Sequence, residues 1–83
     1  MKMEKWNVIG YQHVEFDTSD GKHISGTSLF LCRERPNVVG SECCKLFVTR
    51  SKMDCDEKDI PIGGYADITF NRYGKPDRVT FSF

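Results

Sequence analysis

Hydrophobic and polar positions alternate along this chain in short runs, and Gly, Pro, Asn and Asp break the runs. A period of two marks strands with one buried face, and no window sustains a helical period between a start and a stop signal. In the first run, Trp6 to Phe16, Trp6, Val8, Val14 and Phe16 share one parity and Ile9 and Tyr11 have the other. Gly10 lies where the pattern blurs and predicts a bulge or sharp bend. Thr18-Ser19-Asp20-Gly21 then predicts a hairpin turn. In the second run, Lys22 to Arg33, Ile24 opposes Leu29 and Leu31, and the intervening Gly26 predicts a second bend. Glu34 to Ser41 reads as a loop, broken by Pro36, Asn37 and Gly40.

The third run, Glu42 to Arg50, alternates cleanly. Cys44, Leu46 and Val48 take one face; Cys43, Lys45, Phe47 and Thr49 take the other. Ser51 to Gly64 is the one long connection, and residues 54–58 predict a helical turn with Asp54 as N-cap. The fourth run, Tyr65 to Asn71, turns Ala66, Ile68 and Phe70 inward. The fifth, Arg78 to Phe83, puts Val79, Phe81 and Phe83 on one face, and Gly74 supplies a positive φ in the hairpin between them. This order predicts an all-β fold: a five-stranded, OB-fold-like Greek-key barrel with a short helical turn between strands 3 and 4. An SH3-like barrel or an open five-stranded sheet would produce similar strings.

Composition narrows the picture. Eighty-three residues, 39% hydrophobic and 29% charged, suit one soluble domain over residues 1–83. No apolar run of signal-peptide or membrane-span length is present, which predicts a cytoplasmic protein with no membrane partner. In that compartment Cys32, Cys43, Cys44 and Cys55 are expected as reduced structural thiols. None has the two-residue spacing of a zinc knuckle, and the adjacent Cys43 and Cys44 face opposite ways on a strand. Twelve basic residues balance twelve acidic ones. Locally, residues 33–52 carry an excess of three positive charges and residues 71–83 an excess of two, while Asp54, Asp56, Glu57 and Asp59 gather the acid. A basic face and an ordinary mixed surface are both compatible with that distribution.

Little supports catalysis. His13 and His23 have no nucleophile in a recognisable elbow, the 54–59 acids lack EF-hand spacing, and Gly63-Gly64 is too short for a phosphate loop. The expectation is a non-enzyme without cofactor or metal. The more informative groups are the rings left over by the alternation: Phe47 beside Lys45, Tyr73 between Arg72 and Lys75, and Tyr11. Rings interleaved with cations suit single-stranded nucleic acid, because rings stack on bases and cations hold phosphates. Each has a structural counterpart: Phe47 packing beneath the 51–64 connection, Tyr11 closing one barrel end, Tyr73 covering a neighbouring strand.

Val8-Ile9-Gly10-Tyr11, Asp20-Gly21-Lys22, Ile24-Ser25-Gly26, Lys45-Leu46-Phe47-Val48 and Phe70-Asn71-Arg72-Tyr73-Gly74-Lys75 together resemble small proteins encoded on phages and mobile elements of Gram-positive bacteria. More distantly the chain resembles the single-stranded-DNA-binding proteins of filamentous phages, small OB-fold dimers that coat DNA. The resemblance implies cooperative, sequence-independent binding of single strands during replication or transfer. The neutral charge and the acidic 54–59 segment depart from that pattern. The resulting expectation is a homodimer that binds single-stranded DNA, with RNA left open. Tyr11, Phe47 and Tyr73 would stack on bases, and Arg33, Arg35, Lys45, Arg50, Arg72 and Lys75 would contact phosphate. The rival expectation is a protein-interaction module using a strand edge or aromatic patch; a third is a small enzyme or metal protein.

Overall fold

The computed structural model describes residues 2–83. Five strands form: β1 (Lys2–Asp17), β2 (His23–Arg33), β3 (Glu42–Val48), β4 (Tyr65–Phe70) and β5 (Pro76–Ser82). All pairings are antiparallel, in the order β3-β2-β1-β4-β5. β1 pairs with β4 from Lys2 to Asn7 and with β2 from Asn7 to Asp17, so it changes partners at Asn7. The five-stranded all-β expectation holds, but the sheet is open rather than a closed barrel, because β3 and β5 share no ladder. A single stitch crosses that gap. Met53 bridges Val79 in parallel, the Asp54 N–H donates to the Val79 carbonyl (3.2 Å), and Asp54 Oδ1 accepts from the Phe81 N–H (3.2 Å). Asp54 therefore ties the connection to β5 and is not an N-cap. The expected helical turn is instead a pair of 3-10 turns at 50–52 and 57–59.

The turn chemistry follows the sequence. Gly21 and Gly74 take φ of 88° and 78°, a region costly for residues with a Cβ, and so permit the two hairpins. In the first hairpin the Thr18 hydroxyl accepts from the Lys22 N–H (3.1 Å) and also contacts Asp20. In the second, Asn71 Oδ1 accepts from the N–H groups of Tyr73 and Lys75.

Gly10 does mark a bulge: the β1–β2 register shifts between Val8 and Gly10. One extra residue reverses which parity faces the core. Before the bulge, Trp6 and Val8 point inward; after it, Tyr11 lies opposite the buried Leu29 and packs on the core. Val14 and Phe16, expected to share the face of Trp6, pair with Gly26 and Ile24 and so lie on the opposite, outer face. Gly26 makes no bend. It continues the ladder, and a Cβ there would meet Phe47 Cζ at 2.5 Å and the Val48 carbonyl oxygen at 2.7 Å. Its missing side chain is what lets the Phe47 ring lie across β2.

The core occupies the inner face alone. Trp6, Val8, Leu29, Leu31, Val48, Ala66, Ile68 and Val79 come from the strands, and Met53 and Ile60 from the connection that covers them. The described residues have a radius of gyration of 13.5 Å, against roughly 12 Å for a compact domain of this length. The excess reflects an arm. β3 ends opposite Thr27 and β4 opposite Asn7, so the β1–β2 hairpin continues past both as a two-stranded ribbon.

Two substitutions check this packing. Leu29→Ala removes a fully buried side chain, with an expected loss of about 2–5 kcal/mol in urea unfolding. Gly26→Ala is expected to cost about 1–3 kcal/mol by overpacking, whereas Gly10→Ala, whose Cβ would meet only Phe30 at an ordinary 3.6 Å, is expected to cost clearly less.

Candidate functional site

The residues singled out in the sequence fall in five places. Tyr11 is half-buried on the inner face. Arg33 is held between carboxylates, with Nη1 3.1 Å from Glu4 and Nη2 3.1 Å from Glu42, and its guanidinium lies 4.0 Å from the centre of the Trp6 ring. Arg35 sits beside the same Glu42 (3.7 Å), and Arg50 Nε donates to Asp56 (2.8 Å). These three cations are engaged with acids of their own molecule. Lys45 and Phe47 project from the outer face of β3, as the alternation predicted; Phe47 packs against Gly26 and not beneath the connection. Arg72, Tyr73 and Lys75 form the tip of the β4–β5 hairpin, beside the start of β1, where Tyr73 is 73% exposed and the Arg72 guanidinium lies 5.1 Å from its ring centre. Phe47, by contrast, lies in register with Ser28 and Gln12, ten residues further along β1. The three rings therefore do not meet in one groove.

The outer face of β1, β2 and β3 carries a different cluster. Partners in an antiparallel ladder share a face, so Val14, Phe16, Ile24, Phe30 and Phe47 all project there. The Phe16 and Phe47 rings contact each other at a tilt of 55°, with centroids 6.0 Å apart, and both remain substantially exposed, at 46% and 38%. Among the described residues no second layer covers this face. Lys45, opposite Phe30, brings a positive charge to this part of the outer face. An antiparallel sheet with one solvated face ordinarily shows polar residues there; here the solvated face is apolar along the arm. Phe16 and Val14 escaped the sequence reading because the bulge reversed their expected side, whereas Ile24 keeps the parity opposite to Leu29 and Leu31 that the sequence showed, since β2 runs through Gly26 without a register shift.

On the inner face of the arm the positions opposite these rings are polar. His13 lies between Glu57 (Nδ1···Oε2 2.8 Å) and Glu15 (Nε2···Oε2 3.0 Å); His23 lies between Asp17 (2.8 Å) and Glu15 (2.9 Å). The Thr27 hydroxyl donates to Glu57 Oε2 at 2.7 Å. The result is an unbroken chain from Thr27 through Glu57, His13, Glu15 and His23 to Asp17, and it ties the 57–59 turn to the arm. Each imidazole has a carboxylate at both nitrogens, and only the doubly protonated ring can donate to both. Hydrogen bonds donated to Glu57 and then Glu15 raise the His13 pKa above its ordinary 6.5. Hydrogen bonds to Asp17 and then Glu15 raise that of His23. The partners respond in the opposite sense: Glu15 is lowered by His23 and His13, and Glu57 by Thr27 and His13. Glu57 and Glu15 thus favour the imidazolium form of His13, and Asp17 and Glu15 that of His23, and losing both protons removes two positive charges from this chain of acids. Among the described residues no three His, Cys, Asp or Glu side chains are grouped to hold a metal ion.

Comparison of the chain with family models, curated proteins and solved structures finds no match. The functional reading therefore rests on the two faces of the arm and the hairpin tip.

The imidazole chain has a definite pH signature. Both histidine pKa values are raised on folding, so their stabilising contribution is complete below the unfolded value near 6.5 and is lost as pH rises through the folded values. The Glu15 and Glu57 contributions run the other way, present above the unfolded 4.5 and lost as pH falls through the lowered folded values. Histidine NMR titration is expected to place both rings above 6.5. Glu57→Gln should lower the His13 value much more than that of His23.

Proposed function

We propose that this protein is a non-enzymatic interaction module that pairs with a second copy of itself through the outer face of β1–β2–β3. The observation that carries this reading is the Phe16–Phe47 pair, half-exposed within an uncovered apolar sheet face. Exposed patches of this kind mark association surfaces, and aromatic rings supply much of the energy of such contacts. A second copy is favoured over a charged partner for two reasons. The patch offers almost no charge to complement, and an apolar surface is complementary to itself under two-fold symmetry. The formal net charge of zero also leaves no long-range repulsion between copies.

Sedimentation equilibrium tests the proposal. A concentration-dependent dimer is expected, and Phe16→Glu, which places an acid in the patch of both copies, is expected to weaken it at least tenfold with the fold intact by circular dichroism. A chain that stays monomeric at millimolar concentration overturns it.

A second reading is favoured by the hairpin tip. Tyr73 is the most exposed of the three candidate rings, with Arg72 stacked on it and Lys75 and Arg78 nearby in the chain. Lys52 reaches the same end, donating to the Pro76 carbonyl at 3.1 Å. This arrangement supports a small site for single-stranded nucleic acid, one ring and up to four cations. Four phosphate contacts correspond to about a 50-fold loss of affinity between 50 and 200 mM salt. Fluorescence anisotropy with a labelled oligo-dT is expected to show that dependence and to lose it in Arg72→Ala/Lys75→Ala. Salt-independent binding, or none at low salt, removes this reading.

A further inference from the structure

Cys32 and Cys43 are direct partners across β2 and β3, and their Sγ atoms lie 2.9 Å apart. Residues directly opposed in an antiparallel ladder have Cα atoms about 4.5–5.5 Å apart, within the roughly 4.4–6.8 Å that a disulfide spans. Closing the bond needs the sulfurs to approach by less than about 1 Å, towards ~2.05 Å. The other two cysteines are placed elsewhere. Cys44 pairs with Leu31 and packs on the core from the inner face, and Cys55 packs on the core from the 49–64 connection. Cys43 is exposed and accessible to a reagent, while Cys32 is half-buried behind it. The Cys32 thiol is pushed up from its ordinary pKa, first by its hydrogen bond with Cys43 and then by burial, which marks it as the poorer first nucleophile.

We infer that Cys32 and Cys43 form a reversible thiol–disulfide site, oxidised by a small disulfide such as oxidised glutathione. The Cys43 thiolate attacks one sulfur of the reagent, whose S–S bond breaks and releases one glutathione thiol, leaving a mixed disulfide on Cys43. The Cys32 thiolate then attacks Cys43 Sγ and displaces the second glutathione. The protein loses two protons and two electrons, together two hydrogen atoms, and one glutathione disulfide takes them up to become two thiols. The new bond fastens edge strand β3 to β2 and closes the base of the 34–41 loop, whose tip carries the fully exposed Val39. It adds a covalent link where the strand pair ends, just inside the Arg33–Glu42 ion pair. Cys32 and Cys43 share the outer face with Phe47, four residues away at the far end of β3, so the reaction is followed in dilute protein, where copies are apart, and its failure there is distinct from a failure of pairing.

The test is intact-mass spectrometry with thiol counting after incubation in oxidised glutathione. The wild type is expected to lose the mass of two hydrogens and retain two alkylatable thiols, with full reversal by dithiothreitol. Cys44→Ser and Cys55→Ser should also lose the two hydrogens, each retaining one alkylatable thiol. Cys32→Ser and Cys43→Ser should not lose the two hydrogens, and Cys32→Ser should instead hold glutathione on Cys43. Four persisting free thiols in the wild type overturn the inference, as does a two-hydrogen loss that survives in Cys43→Ser. Oxidation that yields only intermolecular dimers on non-reducing gels also overturns it.

Discussion

One extra residue in β1 governs how this molecule presents itself. The bulge between Val8 and Gly10 reverses the inward parity of a sixteen-residue strand part-way along its length. Because side chains alternate strictly, the reversal acts on everything downstream. Tyr11 packs on the core, His13, Glu15 and Asp17 turn to the inner side, and Val14 and Phe16 turn to the outer side. Without it, Val14 and Phe16 would follow Trp6 and Val8 inward and the Glu15 and Asp17 carboxylates would lie on the outer surface. The bulge also lies next to the point where β1 exchanges β4 for β2, so the bend and the change of partner coincide.

The arm that results is inverted relative to the rest of the sheet. Around Trp6, Leu31 and Ile68 the inner face is apolar and roofed by the 49–64 connection. Along the arm the inner face is ionic, and the apolar side chains are outside. The two arrangements support each other at Glu57. Its carboxylate accepts from Thr27 in the sheet and contacts His13 on the arm, so the roof is anchored by the same polar chain that fills the inner face of the arm. Gly26 serves the opposite side, since its missing Cβ is what seats Phe47 beside Phe16.

Much of this was legible in the residues, and the failures concern parity after the bulge and pairing across strands. All five strands, both hairpin turns, the loop at 34–41 and the inward sets of β2, β3 and β4 followed from period-two patterning and turn chemistry. So did the outward placement of Lys45 and Phe47. Gly10 was recognisable as a bulge, but a bulge seen in sequence does not state which parity continues inward, so Tyr11 was expected outside and Phe16 inside. Pairing across strands was also invisible. Nothing in the spacing of Cys32 and Cys43 reveals that they face each other, because that depends on the β2–β3 register. Arg33 illustrates the same limit: its charge was apparent, whereas its capture by Glu4 and Glu42 required the fold.

The changeover at Asn7 makes this a divisible protein. β1, β2 and β3 form an uninterrupted meander, β4 and β5 form a self-contained hairpin, and the chain joins them only through the 49–64 crossover. Severing that crossover at its exposed acidic stretch would leave two pieces whose shared surface is the first six residues of β1 and the inner-face core. The longer piece would then present an unpaired strand edge that the shorter is shaped to complete. A reporter split at this point would reassemble by strand addition, with Trp6 and Ala66 as the register mark.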